Sequence, residues 1–465
     1  MPTPFSPPFP PASRADWLNQ VQKDLKDSNI YESLRWESPE GFMVEPYYTD
    51  AGLDPQQLAF VHNVQKSTPG WLNTPHYFAL PGQERSLNTR LRDALANGAD
   101  ALVLNVPDWS DASAGSPHSL SLTRLLDGIK LSNTPVFFRL GAGNQAVSFL
   151  QTLRQVAPYQ LKGGMLTESG TAHPPTAGLP IGALAELIEQ SSESPNFRVI
   201  GINSHDFHAA GGTATQELAF TLARLAEVYG QLLESGLTVE QLASKTVLSV
   251  SVGTSYFMEM AKLRALRVLF ARFAPSAASQ TLLIHGQTST FYEATATPYT
   301  NLLRATTEAM AAIIGGIDAL TVRPYDAVLS TLGTLPESHP TEFSERIARN
   351  VSTLLKAESY LDKVTDPAAG SYYIENLTHQ LTEAAWALFQ QVEAMGGFTK
   401  ALENGFIQQH LDKAFAAKVD AVRNGRILVG VTKFRHDEEG AETNPIPSEG
   451  DDIGLKTRRL ANEFE

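Results

Sequence analysis

No cysteine occurs in the 465 residues of the chain, which excludes disulfides, thiolate metal sites and a cysteine nucleophile. Positive charge is scarce too: 36 Lys and Arg stand against 50 Asp and Glu, a formal net charge of −14. A chain of that sign has no general attraction for nucleic acid or anionic lipid, so neither is expected as a partner. No apolar run approaches the ~18 residues needed to span a bilayer. The stretch Met1 to Pro11 is rich in proline and has neither a basic lead nor an apolar core, unlike a secretory signal. A cytoplasmic protein is expected, with an extended N-terminal arm. A nicotinamide fingerprint is missing as well, because Gly141-Ala142-Gly143 has no third glycine in register.

What the chain does have is a rhythm of strand and helix signals, clearest in residues 280 to 326. Thr281-Leu282-Leu283-Ile284 reads as a strand that ends in the polar turn His285-Gly286-Gln287-Thr288-Ser289, the place where barrel enzymes keep their chemistry. Thr297 as N-cap and Pro298 at the first helical position open a helix. Leu302, Leu303, Ala309, Met310, Ile313 and Ile314 share one face of it at helical spacing. Arg304 and Glu308, four residues apart, read as a solvated ion pair on that helix. Gly315-Gly316 supplies the left-handed stop, and Asp318 to Val322 forms the next strand. Strands joined in this way lie parallel.

The same rhythm places strands near 75–80, 101–105, 135–139, 161–166, 198–203, 246–251, 280–285 and 318–322, the pattern of a closed parallel (β/α)8 TIM-type barrel. Strand four is the weakest, because Gly163-Gly164 interrupts it. The expected organisation is an arm with short helices over 1–68, the barrel over 69–335, and a helical C-terminal region over 336–465. In that last region Phe343 to Ala357 and Leu377 to Met395 carry the strongest helix signals, and an acidic, proline-bearing tail follows Val431.

Several segments resemble the methylmalonyl-CoA mutase family, in order and in spacing. They include Phe257-Met258-Glu259-Met260-Ala261-Lys262-Leu263-Arg264, Gln287-Thr288-Ser289, Arg304-Ala305-Thr306-Thr307-Glu308-Ala309-Met310, Arg346-Ile347-Ala348-Arg349-Asn350 and Asp366-Pro367-Ala368-Ala369-Gly370. The resemblance implies a barrel for coenzyme A thioesters that works with adenosylcobalamin, rearranging a carbon radical. In the family the cobalamin domain lies C-terminal to the barrel, and Glu465 stands where it would begin.

Two departures weigh on activity. Catalytic members place an arginine- and tyrosine-bearing loop just ahead of strand one, whereas here Pro69-Gly70-Trp71-Leu72-Asn73-Thr74-Pro75 runs almost directly into the strand. They also carry a Tyr-His pair after strand five, the histidine donating to the thioester carbonyl; the aligned pair here is His205-Asp206. A carboxylate there repels the charge that a donor would stabilise. The resemblance therefore implies the small, or beta, type of subunit, without catalytic residues of its own and paired with a large catalytic subunit as a heterodimer. His205, Asp206 and His208 are the degenerate catalytic candidates. Gln287 matches a residue beside the cofactor in active relatives, and Arg139 and Arg323, just past strand ends, are candidates for holding a phosphate or carboxylate. Asp206-Phe207-His208-Ala209-Ala210-Gly211 also fits an Asp-x-His-x-x-Gly cobalt-ligating signature, but the residues that should follow it are missing, so no metal site is expected. The rival reading is a catalytic acyl-CoA mutase barrel that borrows its cobalamin domain from a separate chain, distinguished by whether the barrel mouth admits a pantetheine arm. A remoter one is a free-standing acyl-CoA-binding module.

Overall fold

Short apolar runs bounded by glycine, proline and polar residues become strands, and amphipathic runs between them become helices. The computed structural model describes residues 13–26, 30–49, 52–107, 109, 119–141, 145–168, 178–277, 282–329, 340–436 and 455–465. The strands are β1 (Trp36–Glu37), β2 (Met43–Val44), β3 (Leu72–Asn73), β4 (His76–Phe78), β5 (Leu102–Val106), β6 (Val136–Leu140), β7 (Gly163–Met165), β8 (Phe197–Arg198), β9 (Ile200–Asn203), β10 (Thr246–Val252), β11 (Leu283–Thr288) and β12 (Ala319–Thr321). β1 and β2 form an antiparallel ribbon. The others form two five-stranded sheets, ordered β3-β12-β11-β10-β9 and β4-β5-β6-β7-β8, and every pairing within them is parallel.

The chain crosses from one sheet to the other at two breaks, and each break has a local cause. Between β3 and β4 lies Thr74-Pro75, and proline has no N–H for the ladder. Between β8 and β9 lies Val199, where Val199 N–H and Ile200 N–H both donate to the Lys245 carbonyl, at 3.0 and 2.9 Å, a bulge-like doubling. Hydrogen bonds continue past both breaks. Val103 N–H donates to Pro75 O at 3.0 Å, and Glu168 forms a parallel bridge with Gly201.

Alternation along the strands sorts the side chains into two environments. Leu102, Leu104 and Val106 of β5 face the large apolar cluster shared with the helices. Ala101 and Val103 face the other way, joining Phe137, Leu166, Val247 and Ala319 in a small separate cluster. Helix Ala214–Glu234 opens with a Thr213/Gln216 capping box, and it packs with helix Tyr256–Phe273 against helix Tyr372–Ala394. Among the described residues no helix is long and apolar enough to cross a membrane.

All eight expected barrel strands are present as strands within a few residues, with strand five divided at Val199. The structure corrects the reading of residues 280 to 326 in several details. Thr281 lies outside the described residues, and β11 extends through Thr288, so His285-Gly286-Gln287-Thr288 belongs to the strand and not to a turn. Gly286 misled because it marks a close approach rather than a bend: a Cβ there would meet Ile317 Cδ1 at 2.8 Å. Pro298 does open the next helix, Pro298–Ile314, but Thr297 does not cap it; its hydroxyl donates to Gly430 O at 3.0 Å. Leu303 is 69% exposed, while Asn301, Ala305, Glu308, Ala309 and Ala312 are buried. Glu308 is no solvated partner of Arg304, since it accepts the Ser289 N–H at 2.9 Å and Arg304 donates to Asn301 Oδ1 and Val429 O. Gly316, at φ +86°, makes the expected left-handed stop. The arm from Met1 to Pro11 lies outside the described residues, as does most of the acidic tail, residues 437–454.

Candidate functional site

The inward faces of the strands carry polar residues above the small apolar cluster. On β10, Val247 belongs to that cluster, and Ser249 and Ser251 follow on the same face by the period of two. On β11 the equivalent series is Leu283, His285 and Gln287, and on β12 it is Ala319 and Thr321, continued by Arg323. On β6 it is Phe137 and then Arg139. The Phe137 and His285 rings lie 6.2 Å apart, so β6 and β11 present side chains to one space.

One side of that space is a continuous hydrogen-bond chain. His285 Nε2 lies 2.9 Å from Thr321 Oγ1 and His285 Nδ1 lies 2.8 Å from Ser249 Oγ. His205 bridges Ser249 Oγ through Nε2 and Ser251 Oγ through Nδ1, each at 2.8 Å. Burial and the nearby Arg139 guanidinium hold both imidazoles neutral, pushing His285 down to about 3 and His205 well below its ordinary value. The direction of every proton then follows. Thr321 Oγ1 donates to the Thr74 carbonyl at 2.7 Å, so it must accept from His285 Nε2–H. His285 Nδ1 then accepts from Ser249, Ser249 accepts from His205 Nε2–H, and His205 Nδ1 accepts from Ser251. A single carbonyl therefore fixes both tautomers.

The two other candidates beyond β9 are equally committed. Asp206 faces Arg224, with Oδ2 at 2.7 Å from Nη2, while Glu168 takes Nη1 at 2.9 Å. The Arg224 guanidinium is sandwiched by Phe207 and Phe398, at 4.4 and 4.7 Å from their ring centroids. His208 Nδ1 sits 2.6 Å from Glu217 Oε1 and its Nε2 2.6 Å from Ser289 Oγ. Glu217 is held low, to about 2, by Lys262 and His208 against the cost of its burial; Lys262 reaches Glu217 at 2.9 Å, Glu259 at 2.6 Å and Ser251 O at 2.8 Å.

Ser289, His208 and Glu217 thus have the connectivity of a hydrolytic triad. Ser289 is only 3% exposed, however, and its hydroxyl oxygen already accepts the Phe291 N–H at 3.0 Å. No acyl carbon has a path to it, and the arrangement is a buried strut. With both His208 nitrogens engaged, the Asp-x-His-x-x-Gly match offers no imidazole to cobalt. Among the described residues no group of three or more His, Asp or Glu side chains is placed to hold a metal.

Gln287 is half-buried on the inward face, in register with Ser251 and Thr321. Arg139 and Arg323 are half-buried on the same inward surface. Sequence reasoning did not single out His285, Ser249 and Thr321, the centre of the chain: Gly286 made His285 read as part of a turn, and Ser249 and Thr321 read only as ordinary positions of their strands. It also missed Glu217, Lys262 and Arg224, although a charge enclosed by apolar neighbours, as in Ala261-Lys262-Leu263 and Glu217-Leu218-Ala219-Phe220, is the signal that would have found them.

A family model described as methylmalonyl-CoA mutase matches residues 171–461. The methylmalonyl-CoA mutase small subunit of Porphyromonas gingivalis is 31% identical, over 98% of this chain and 76% of its own length. The small subunit of Streptomyces virginiae is 32% identical, over 95% and 73% respectively. The methylmalonyl-CoA mutase of Rhizobium meliloti is 31% identical over 91% of this chain, and 64% of its own length is covered. The chain belongs to the methylmalonyl-CoA mutase family and is of its small-subunit type.

Proposed function

We propose that this chain is a non-catalytic small subunit of a heteromeric methylmalonyl-CoA mutase, pairing in the cytoplasm with a large catalytic subunit and stabilising it. The parallel strands are read as one (β/α)8 barrel, closed where the chain passes between sheets at Thr74-Pro75 and Val199. One observation carries the functional reading. The side chains that follow β9, where active relatives hold the thioester, are each consumed by protein partners: His205 by two serines, Asp206 by Arg224, His208 by Glu217 and Ser289. Freeing any of them for a substrate leaves a buried polar partner unsatisfied.

Adenosylcobalamin and the coenzyme A thioester then belong to the assembled enzyme. The residues after β9 do not fit a cobalamin-facing role, since neither His208 nitrogen is available and Asp206 is neutralised by Arg224. Gln287, half-buried on the inward face, keeps a position compatible with contact to a bound group.

The test is co-expression with the cognate large subunit, followed by size-exclusion chromatography and a mutase assay. A 1:1 complex whose activity is unchanged by Asp206→Asn and His208→Gln in this chain is the expected outcome. Separate elution at micromolar concentration removes the pairing role. Turnover by this chain supplied with a cobalamin-domain protein, lost on Gln287→Ala, establishes the split-mutase alternative instead.

A further inference from the structure

Among the described residues the buried cations have partners, carboxylates for most and backbone carbonyls for Lys245 and Lys418. Arg224 has Asp206 and Glu168, Lys262 has Glu217 and Glu259, and Arg267 has Asp318 at 2.7 Å. The half-buried Arg139 and Arg323 break the pattern. Both stand on the inward surface, in line with Phe137 of β6 and with Ala319 and Thr321 of β12. Arg139 Nη2 is cut off from solvent and makes no hydrogen bond, the one terminal guanidinium nitrogen so placed among the described residues; Arg323 Nε shares that state with the Nε atoms of Arg224 and Arg267, but unlike them Arg323 has no carboxylate in an ion pair among those residues. The remaining guanidinium nitrogens make no hydrogen bond to a described residue and are not cut off from solvent.

The two charges address the same space. Phe137, the inward neighbour of Arg139 along β6, has its ring 6.2 Å from that of His285, and Thr321, the inward neighbour of Arg323, lies 2.9 Å from His285 Nε2, so the two guanidiniums follow on from residues that flank one imidazole. Nearby carboxylates answer them only in part, Glu168 acting on Arg139 and Glu293 on Arg323. Glu168 is already 2.9 Å from Arg224, and burial keeps the Glu293 carboxyl near Arg323 protonated up to about 8. Arg139 itself is pushed down to about 10, by desolvation first and by Arg323 second, with Glu168 acting the other way without restoring it.

We propose that Arg139 and Arg323 form an anion site inside the ring of strands, taking a small dianionic oxyanion of the phosphate type. The charge of two guanidiniums calls for a dianion, and planar guanidinium edges suit tetrahedral oxyanions. This inference stands apart from the subunit reading and survives its failure.

The full chain, purified in chloride buffer, is titrated with phosphate, sulfate, phenyl phosphate and further chloride at matched ionic strength, reading Tm and binding heat. Phosphate and sulfate should each raise Tm by several degrees and saturate, because a ligand that binds only the folded state stabilises it by mass action, whereas chloride should not. A response to phenyl phosphate equal to that of phosphate identifies a phosphomonoester as the ligand, and a response to phosphate without one to phenyl phosphate identifies the free anion; both uphold the site. Arg139→Met and Arg323→Met should abolish the dianion response. In chloride buffer they should be at least as stable as the parent, because each removes a cation compensated only in part. A response shared by chloride, a dianion response that survives both variants, no saturable response at all, or a Tm that falls in the variants without added anion overturns the proposal.

Discussion

The two sides of the interior handle polarity in opposite ways. From β9 to β12, the hydroxyls and imidazoles of Thr321, His285, Ser249, His205 and Ser251 pair donor to acceptor, leaving Asn203 Oδ1 and Arg323 Nε unpaired at the margins, and just outside them Lys262, Glu217 and His208 close a second network. Around β4, β5 and β6, Arg139 Nη2 is buried with no partner, and His76 Nε2 and Asn105 Oδ1 have at best each other, outside good hydrogen-bond geometry. A satisfied buried network rigidifies, while an orphaned group costs its full desolvation. The first side therefore behaves as structure. The second has the character of a surface waiting for a ligand.

The sharpest break of that contrast is a charge deletion on each side. Lys262→Met leaves Glu217 and Glu259 buried without their cation, and removing one partner of such a network typically costs ~3–5 kcal/mol. Chemical denaturation should show that loss, whereas Arg139→Met should show none. If the two variants lose the same stability, the sides do not differ in kind.

Titration with acid and base next tells apart two buried groups of the first side. His285 is lowered from its ordinary 6.5 to about 3. Between those values the unfolded chain binds a proton that the folded one refuses, so stability falls as pH drops below 6.5 and goes on falling towards 3. Glu293 runs the other way, raised by burial from 4.5 to about 8. There the folded chain keeps a proton that the unfolded one releases, so this contribution is full below 4.5 and is lost as pH rises through 8. Each unit of such a shift corresponds to about 1.4 kcal/mol. Glu293→Gln should flatten the alkaline limb of a Tm against pH profile and leave the acid limb unchanged. An unchanged alkaline limb would sink the assignment to Glu293.

Much of this architecture was legible before any coordinates. The eight strand positions follow from period-two apolar runs and their glycine and proline boundaries, and the family follows from segments such as Phe257 to Arg264. The errors cluster where tertiary contacts override local signals. Gly286 looks like a turn because its need for a bare Cα comes from Ile317, far along the chain. Leu303 looks like core because helical spacing cannot say which of two stripes faces inward. Glu308 looks like half of a surface pair, yet Ser289 draws it inside. The candidate site was legible as positions and not as partnerships: His205, Asp206, His208, Arg139 and Arg323 could be named, but the ion pair of Asp206 with Arg224 depends on helix Ala214–Glu234 packing beneath it.

The finest test acts within the satisfied side, where the hydrogen-bond chain has a middle and an end. Ser249 stands between two imidazoles, donating to His285 Nδ1 and accepting from His205 Nε2. Ser249→Ala therefore orphans two buried ring nitrogens at once, a loss of roughly 2–4 kcal/mol if each orphan costs ~1–2 kcal/mol. Ser251 stands at the end and is 6% exposed, so Ser251→Ala orphans only His205 Nδ1 and should cost about half as much. The variants also differ in their nitrogen spectra. In the parent both histidines should appear as Nε2–H tautomers at neutral pH. Ser251→Ala keeps the anchor at the Thr74 carbonyl and so leaves the His285 tautomer in place, whereas Ser249→Ala severs His205 from that anchor and should let its two tautomers exchange. Equal stability losses in the two variants, or a His205 tautomer that stays fixed without Ser249, would show that the protons are not ordered from one end.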